Sequence, residues 1–150
     1  VGLLKSDIIL NTETPHLNLI PHPWRRLKTA GSERKIPLVG ASLWSARRIK
    51  LSNPTNQFAF PRYCNEQTHN SNSASAALNK WLLSHAPEGC VVHSFRHSMR
   101  DRLRAVECPK EMIDQIGGWS SSDVGESYGE GFSLDILSHW MKKIPLFNNL

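Results

Sequence analysis

Glycine and proline cut the second half of this chain into short pieces, so no long helix or wide sheet can be drawn through it. The breaks are Pro87-Glu88-Gly89, Pro109 and Gly117-Gly118; proline blocks a helix interior and glycine readily closes a helix end. Between Ser73 and His85, the residues Ala76, Ala77, Trp81 and Leu82 recur at helical spacing. This predicts an amphipathic helix capped by Ser71 or Ser73. Ser94 to Val106 reads as a second helix, and Lys110 to Ile116 as a third, with Pro109 near its first turn. A polar stretch, Ser120 to Asp123, precedes a short helix expected to carry Tyr128. A last helix is predicted over Ser133 to Lys143, with Leu134, Leu137, Trp140 and Met141 on one face. Such a face suits either docking onto a neighbouring subunit or closing the chain's own core.

The first half reads differently. Asp7 to Leu10 predicts a short strand, and His16 to Ile20, alternating and bounded by Pro15 and Pro21, an edge strand. Arg25 to Leu38 predicts a β-hairpin that turns at Ala30-Gly31-Ser32 and returns along Arg34 to Leu38. A helix over Ala41 to Ile49 follows, then a loop from Leu51 to Ser71 whose one apolar stretch is Phe58-Ala59-Phe60. The expected class is α+β, mainly helical with a small N-terminal antiparallel sheet, and the whole of residues 1–150 forms one domain.

Charge narrows the partners. Lys and Arg outnumber Asp and Glu by 18 to 13, for a net charge of +5 and a pI near 9.4. A surplus of this sign suits a polyanion, although an ordinary basic domain carries the same surplus. Cys64, Cys90 and Cys108 are odd in number and show no C-x-x-C spacing. They read as reduced thiols of a cytosolic protein, with neither disulfides nor a zinc site. No apolar run has the length of a membrane span, and no signal peptide is visible.

Three short runs carry chemistry. In His93-Ser94-Phe95-Arg96, an imidazole and a guanidinium stand three residues apart, which on a helix places a proton acceptor beside an anion clamp. Ile116-Gly117-Gly118-Trp119 follows, and nine residues after Trp119 comes Ser127-Tyr128-Gly129. Singly, each has an ordinary explanation: a histidine bonded to backbone at a helix start, a tryptophan packed in the core, a surface tyrosine. Their order, with a lysine-bearing turn upstream at Lys28-Thr29-Ala30-Gly31, is what chance explains poorly.

Taken together, these runs resemble the C-terminal catalytic domain of the tyrosine recombinases, the phage-integrase family, which reads H-x-x-R, then G-[HW], then a nucleophilic tyrosine. The resemblance covers roughly residues 1–144. It implies a tyrosine recombinase catalytic-domain-like fold and site-specific recombination of double-stranded DNA through a 3′-phosphotyrosine, without metal or cofactor. It also implies a homotetramer on DNA in a full-length, cytoplasmic parent of bacterial or phage type. Tyr128 becomes the nucleophile and Arg96 the phosphate clamp, since guanidinium keeps its charge and matches a phosphate edge. His93 shares the proton handling. Trp119 can donate its indole N–H but takes no proton, so its role is positioning, with packing beside it. Lys28 is the general acid for the leaving 5′ oxygen. Lys35, on the return strand, is its competitor, and the Lys-Thr-Gly-like turn favours Lys28. His97 is read as structural and facing elsewhere on the helix.

The pattern departs from the family in one place. The family's other arginine, in an R-x-x-E run, is expected upstream of Val1, as is the domain that clasps the far face of DNA. The chain is therefore expected to be a fragment and a slow catalyst. The competing reading is an inactive DNA-binding relic. Type IB topoisomerases share the chemistry, but the short spacing and the Gly-Gly-Trp run fit the integrases better.

Overall fold

The computed structural model describes residues 1–29, 32–119 and 131–145. A 3-10 turn, Lys5–Asp7, leads into β1 (Ile8–Ile9), β2 (His16–Leu19) and β3 (Arg34–Pro37). Five helices follow: α1 (Gly40–Leu51), α2 (Ser71–Leu82), α3 (Ser94–Ala105), α4 (Lys110–Gly117) and α5 (Leu134–Lys143). The class is α+β, as the sequence predicts. Among the described residues, no helix is long and apolar enough to cross a membrane.

The sheet is antiparallel in the order β1-β2-β3, with Leu17 opposite Ile8 on one side and Ile36 on the other. This corrects two expectations. β2 is the central strand, not an edge. Its flanking prolines lie just outside the paired residues, so no ladder donor is lost, and the Pro15 carbonyl accepts from Leu38 N at 2.8 Å. The predicted hairpin partner over Arg25 to Thr29 is also absent. His22 and Arg25 exchange both backbone bonds, at 3.0 and 2.9 Å. The Arg25 side chain turns inward onto the Ile20 carbonyl. That turn consumes the groups a strand would offer, and β3 pairs with β2 instead. Ala30 and Gly31 of the expected turn lie outside the described residues; on either side of them, Ser32 N donates to Thr29 O at 3.0 Å.

Two clusters make the core. Ile8, Leu38, Ala46 and Ala59 join the sheet to α1 and to the 52–70 loop. Leu103, Cys108, Ile113, Ile116, Leu137 and Met141 join α3, α4 and α5. Leu137 and Met141 thus turn α5 onto the chain's own core, and Trp140 is half-buried against it. Phe58 and Ala59 are buried, whereas Phe60 is exposed.

The cap of α2 is Asn70, whose side chain accepts from Ser73 N at 2.9 Å, and neither predicted serine takes that role. Its buried stripe is Ala74 and Leu82, eight residues apart, which leaves Ala76, Ala77 and Trp81 exposed. The helix ends at Leu82, and His85 folds back to stack on Trp81 at 4.1 Å between ring centroids. Asn79 of α2 accepts from Val92 N at 2.8 Å and so fixes where α3 begins. Ser133 caps α5 by accepting from Ile136 N.

Candidate functional site

The C-terminus of α4 is where the site is built. A helix leaves its last carbonyls without intrahelical partners and gathers partial negative charge there. Gly118, in the left-handed conformation at φ 63°, stops α4, and Trp119 N returns to Asp114 O at 3.0 Å. Guanidiniums from two other elements take the orphaned carbonyls. Arg34 of β3 donates through Nε to Ile116 O and through Nη2 to Gly117 O, both at 3.1 Å, and through Nη1 to Ser32 O at 2.8 Å. Arg96 of α3 donates through Nη1 to the same Gly117 O at 2.7 Å. One carbonyl therefore joins β3, α3 and α4.

The two glycines are dictated by these neighbours. A Cβ at position 117 would overlap the Trp119 ring, and one at 118 would overlap the Arg34 guanidinium. Gly-Gly lets the indole fold back over the helix end while Arg34 reaches past it. The Trp119 ring then carries Arg96 Cζ at 4.2 Å and Arg100 Cζ at 5.1 Å from its centroid. Arg96 and Arg100 are four residues apart on α3 and share one helical face.

This site is strongly electropositive. Among the described residues none of Arg34, Arg96 and Arg100 has a carboxylate within ion-pair distance. Burial holds Arg34 below the ordinary arginine pKa, and the charge of Arg96 lowers it further. Like charges held this close repel, and salt screens partly buried pairs less than exposed ones. The arrangement favours an anion.

The remaining expected residues sit as follows. His93 precedes α3, is exposed, and meets His97 edge-on at 4.9 Å between centroids. His97, four residues after His93, lies next to its ring. Lys28 is exposed in the β2–β3 connection and makes no hydrogen bond or ion pair among the described residues. Lys35 follows Arg34 on β3. Successive strand side chains point to opposite faces, so Lys35 is directed away from the side on which Arg34 reaches α4. Tyr128 lies outside the described residues. The chain on either side of its segment is tied to α4: Trp119 as above, and Phe132 through Gln115, which accepts from Phe132 N at 2.8 Å and donates to Phe132 O at 3.0 Å.

Arg34 and Arg100 are the residues that sequence reasoning missed. Arg100 was within reach, since Arg96 and Arg100 have the i,i+4 spacing of one helix face. Arg34 carried no local signal for this site, because its partners on α4 lie more than eighty residues away. Among the described residues, no group of three His, Cys, Asp or Glu side chains stands close enough to hold a metal ion. No model of a protein family, no curated protein and no solved structure matches the chain.

Proposed function

We propose that this chain is a tyrosine recombinase catalytic domain that cuts and rejoins duplex DNA. The observation that supports this most is the arginine cluster around Trp119, which joins Arg96 to the Gly-Gly-Trp turn and leaves its positive charge without a carboxylate among the described residues. In this reading the Tyr128 hydroxyl attacks phosphorus and forms a phosphotyrosine, while the bond from phosphorus to the 5′ oxygen breaks. The phenol proton passes to His93, and the leaving 5′ oxygen takes a proton from Lys28. Arg96 holds the charge that spreads over the phosphoryl oxygens, and Trp119 keeps Arg96 in place. The phosphotyrosine conserves the energy of the broken bond, so rejoining needs no ATP. Duplex DNA is the partner, with a homotetramer as the working assembly.

The test is covalent trapping. The chain, in excess, is incubated with a pool of nicked duplexes of randomised sequence, and protein–DNA adducts are counted on a denaturing gel. Tyr128→Phe should abolish the adduct and leave DNA binding nearly unchanged, because only the nucleophilic oxygen is lost. An undiminished adduct from the Phe variant overturns the assignment of Tyr128. Binding without any adduct from the unaltered chain favours a DNA-binding relic.

A further inference from the structure

We infer that Arg100 is a second phosphate-binding residue of this site, placed beside Arg96 to share one phosphate of the DNA backbone. The inference rests on the phosphoryl-transfer reading and adds to it a residue outside the three runs that suggested it.

The three arginines around the α4 terminus differ in what they have left to give. Arg34 spends Nε, Nη1 and Nη2 on three carbonyls, so it holds the site together and has no fork to offer. Among the described residues Arg96 spends only Nη1, on Gly117 O. Among the described residues Arg100 spends nothing: its guanidinium makes no hydrogen bond or ion pair there, and its Nε is buried without a partner. A buried donor left unpaired is costly, and a guanidinium held over an indole beside another guanidinium is more so. An anion that enters between Arg96 and Arg100 offsets the repulsion between the two guanidiniums. A phosphate diester offers two charged oxygens, one for each fork.

The spacing supports the pairing. Arg96 and Arg100 stand one helical turn apart, and the ring of Trp119 touches both. The indole excludes water from one side of the pair and fixes both side chains without neutralising them.

Two measurements test this on the intact chain. In the first, inorganic phosphate and then a short generic duplex are titrated while the arginine side-chain nitrogens are followed by NMR. Arg96 and Arg100 signals should move together. Arg100→Ala should weaken phosphate binding, read at Arg96, by about tenfold or more, and Arg100→Lys should recover part of it. Unchanged affinity at Arg96 in Arg100→Ala overturns the inference.

The second compares adduct formation on nicked pools whose linkages are ordinary phosphodiesters or uncharged methylphosphonates. Arg100→Ala should slow adduct formation by about a hundredfold on the phosphodiester, and recover to within a few-fold of the parent on the methylphosphonate. A residue that merely supports the fold gives no such recovery, and its absence overturns the inference. If the unaltered chain forms no adduct while phosphate still moves Arg96 and Arg100 together, the strand-cutting reading fails and the anion site stands. If phosphate moves Arg96 alone and the adduct forms, Arg100 is excluded and the strand-cutting reading stands.

Discussion

Gly118 and the Arg34 guanidinium occupy adjoining space at the end of α4, so closely that position 118 has no room for a methyl group. Gly118 also adopts a left-handed backbone, which costs an alanine roughly 1 kcal/mol by itself. Gly118→Ala should therefore destabilise the chain by more than that backbone penalty, the excess arising from displacement of Arg34. In an Arg34→Ala background the excess should disappear, leaving a coupling of about 1 kcal/mol or more between the two sites. Urea unfolding of the four proteins in the cycle measures it. An excess that persists without Arg34 would mean that another neighbour causes the clash.

Adjacent positions of α5 should respond in opposite ways to truncation. Leu137 is 1% exposed within the core, and Ile136 is 44% exposed. Leu137→Ala should cost about 2–5 kcal/mol of stability, because it opens a cavity among Leu103, Ile113 and Met141. Ile136→Ala should cost well under about 1 kcal/mol. Urea midpoints for the two variants settle whether α5 serves this core, and similar losses at both positions would contradict the packing described here.

The two buried cysteines, Cys64 and Cys108, give a pH-dependent signature. Burial raises the Cys64 and Cys108 thiols above their ordinary range. In the unfolded chain they ionise near about 8.5, while the folded chain keeps them neutral to higher pH. Their contribution to stability is thus fully present below the unfolded value and is lost as pH rises through the folded one. The unfolding midpoint should fall more steeply above about pH 8.5 in the parent than in the Cys64→Ala/Cys108→Ala double variant. Cys90, only half-buried, should react first with a thiol reagent, and faster labelling at Cys108 would contradict the burial.

What could be read from the sequence, and what could not, follows the range of the forces involved. Helices α3, α4 and α5 are readable because their breaks are covalent properties of Pro109, Gly117, Gly118 and the capping Ser133. The strand pairing is not. Whether β3 joins β2 or a neighbour at Arg25 depends on the buried Arg25 side chain and on the turn that it closes with His22, and neither leaves a periodic trace. The buried face of α2 was misjudged for a related reason. Trp81 is strongly apolar, yet Ala74 and Leu82 fill the contact, and an exposed indole stacked on His85 satisfies the same local pattern. In the site, His93 and Arg96 are visible as a spacing on one helix. The junction of Arg34 with Gly117 depends on tertiary contact alone.

Strand alternation also separates the two lysines that the sequence left in competition. Arg34 reaches α4, so Lys35, its neighbour on β3, is directed to the other face, while Lys28 is exposed in the connection and unpaired among the described residues. If Lys28 protonates the leaving oxygen, Lys28→Ala should slow cleavage of an ordinary phosphodiester by about a hundredfold or more. A substrate with a 5′-bridging sulfur should restore much of that loss, since a thiolate departs without an acid. Lys35→Ala should cleave both substrates near the parental rate. The measurement is the rate of adduct formation on matched nicked duplexes at saturating protein, so that differences in DNA binding drop out. Sulfur rescue in Lys35→Ala and none in Lys28→Ala would move the acid to β3, and would require the β2–β3 connection to rearrange when DNA binds.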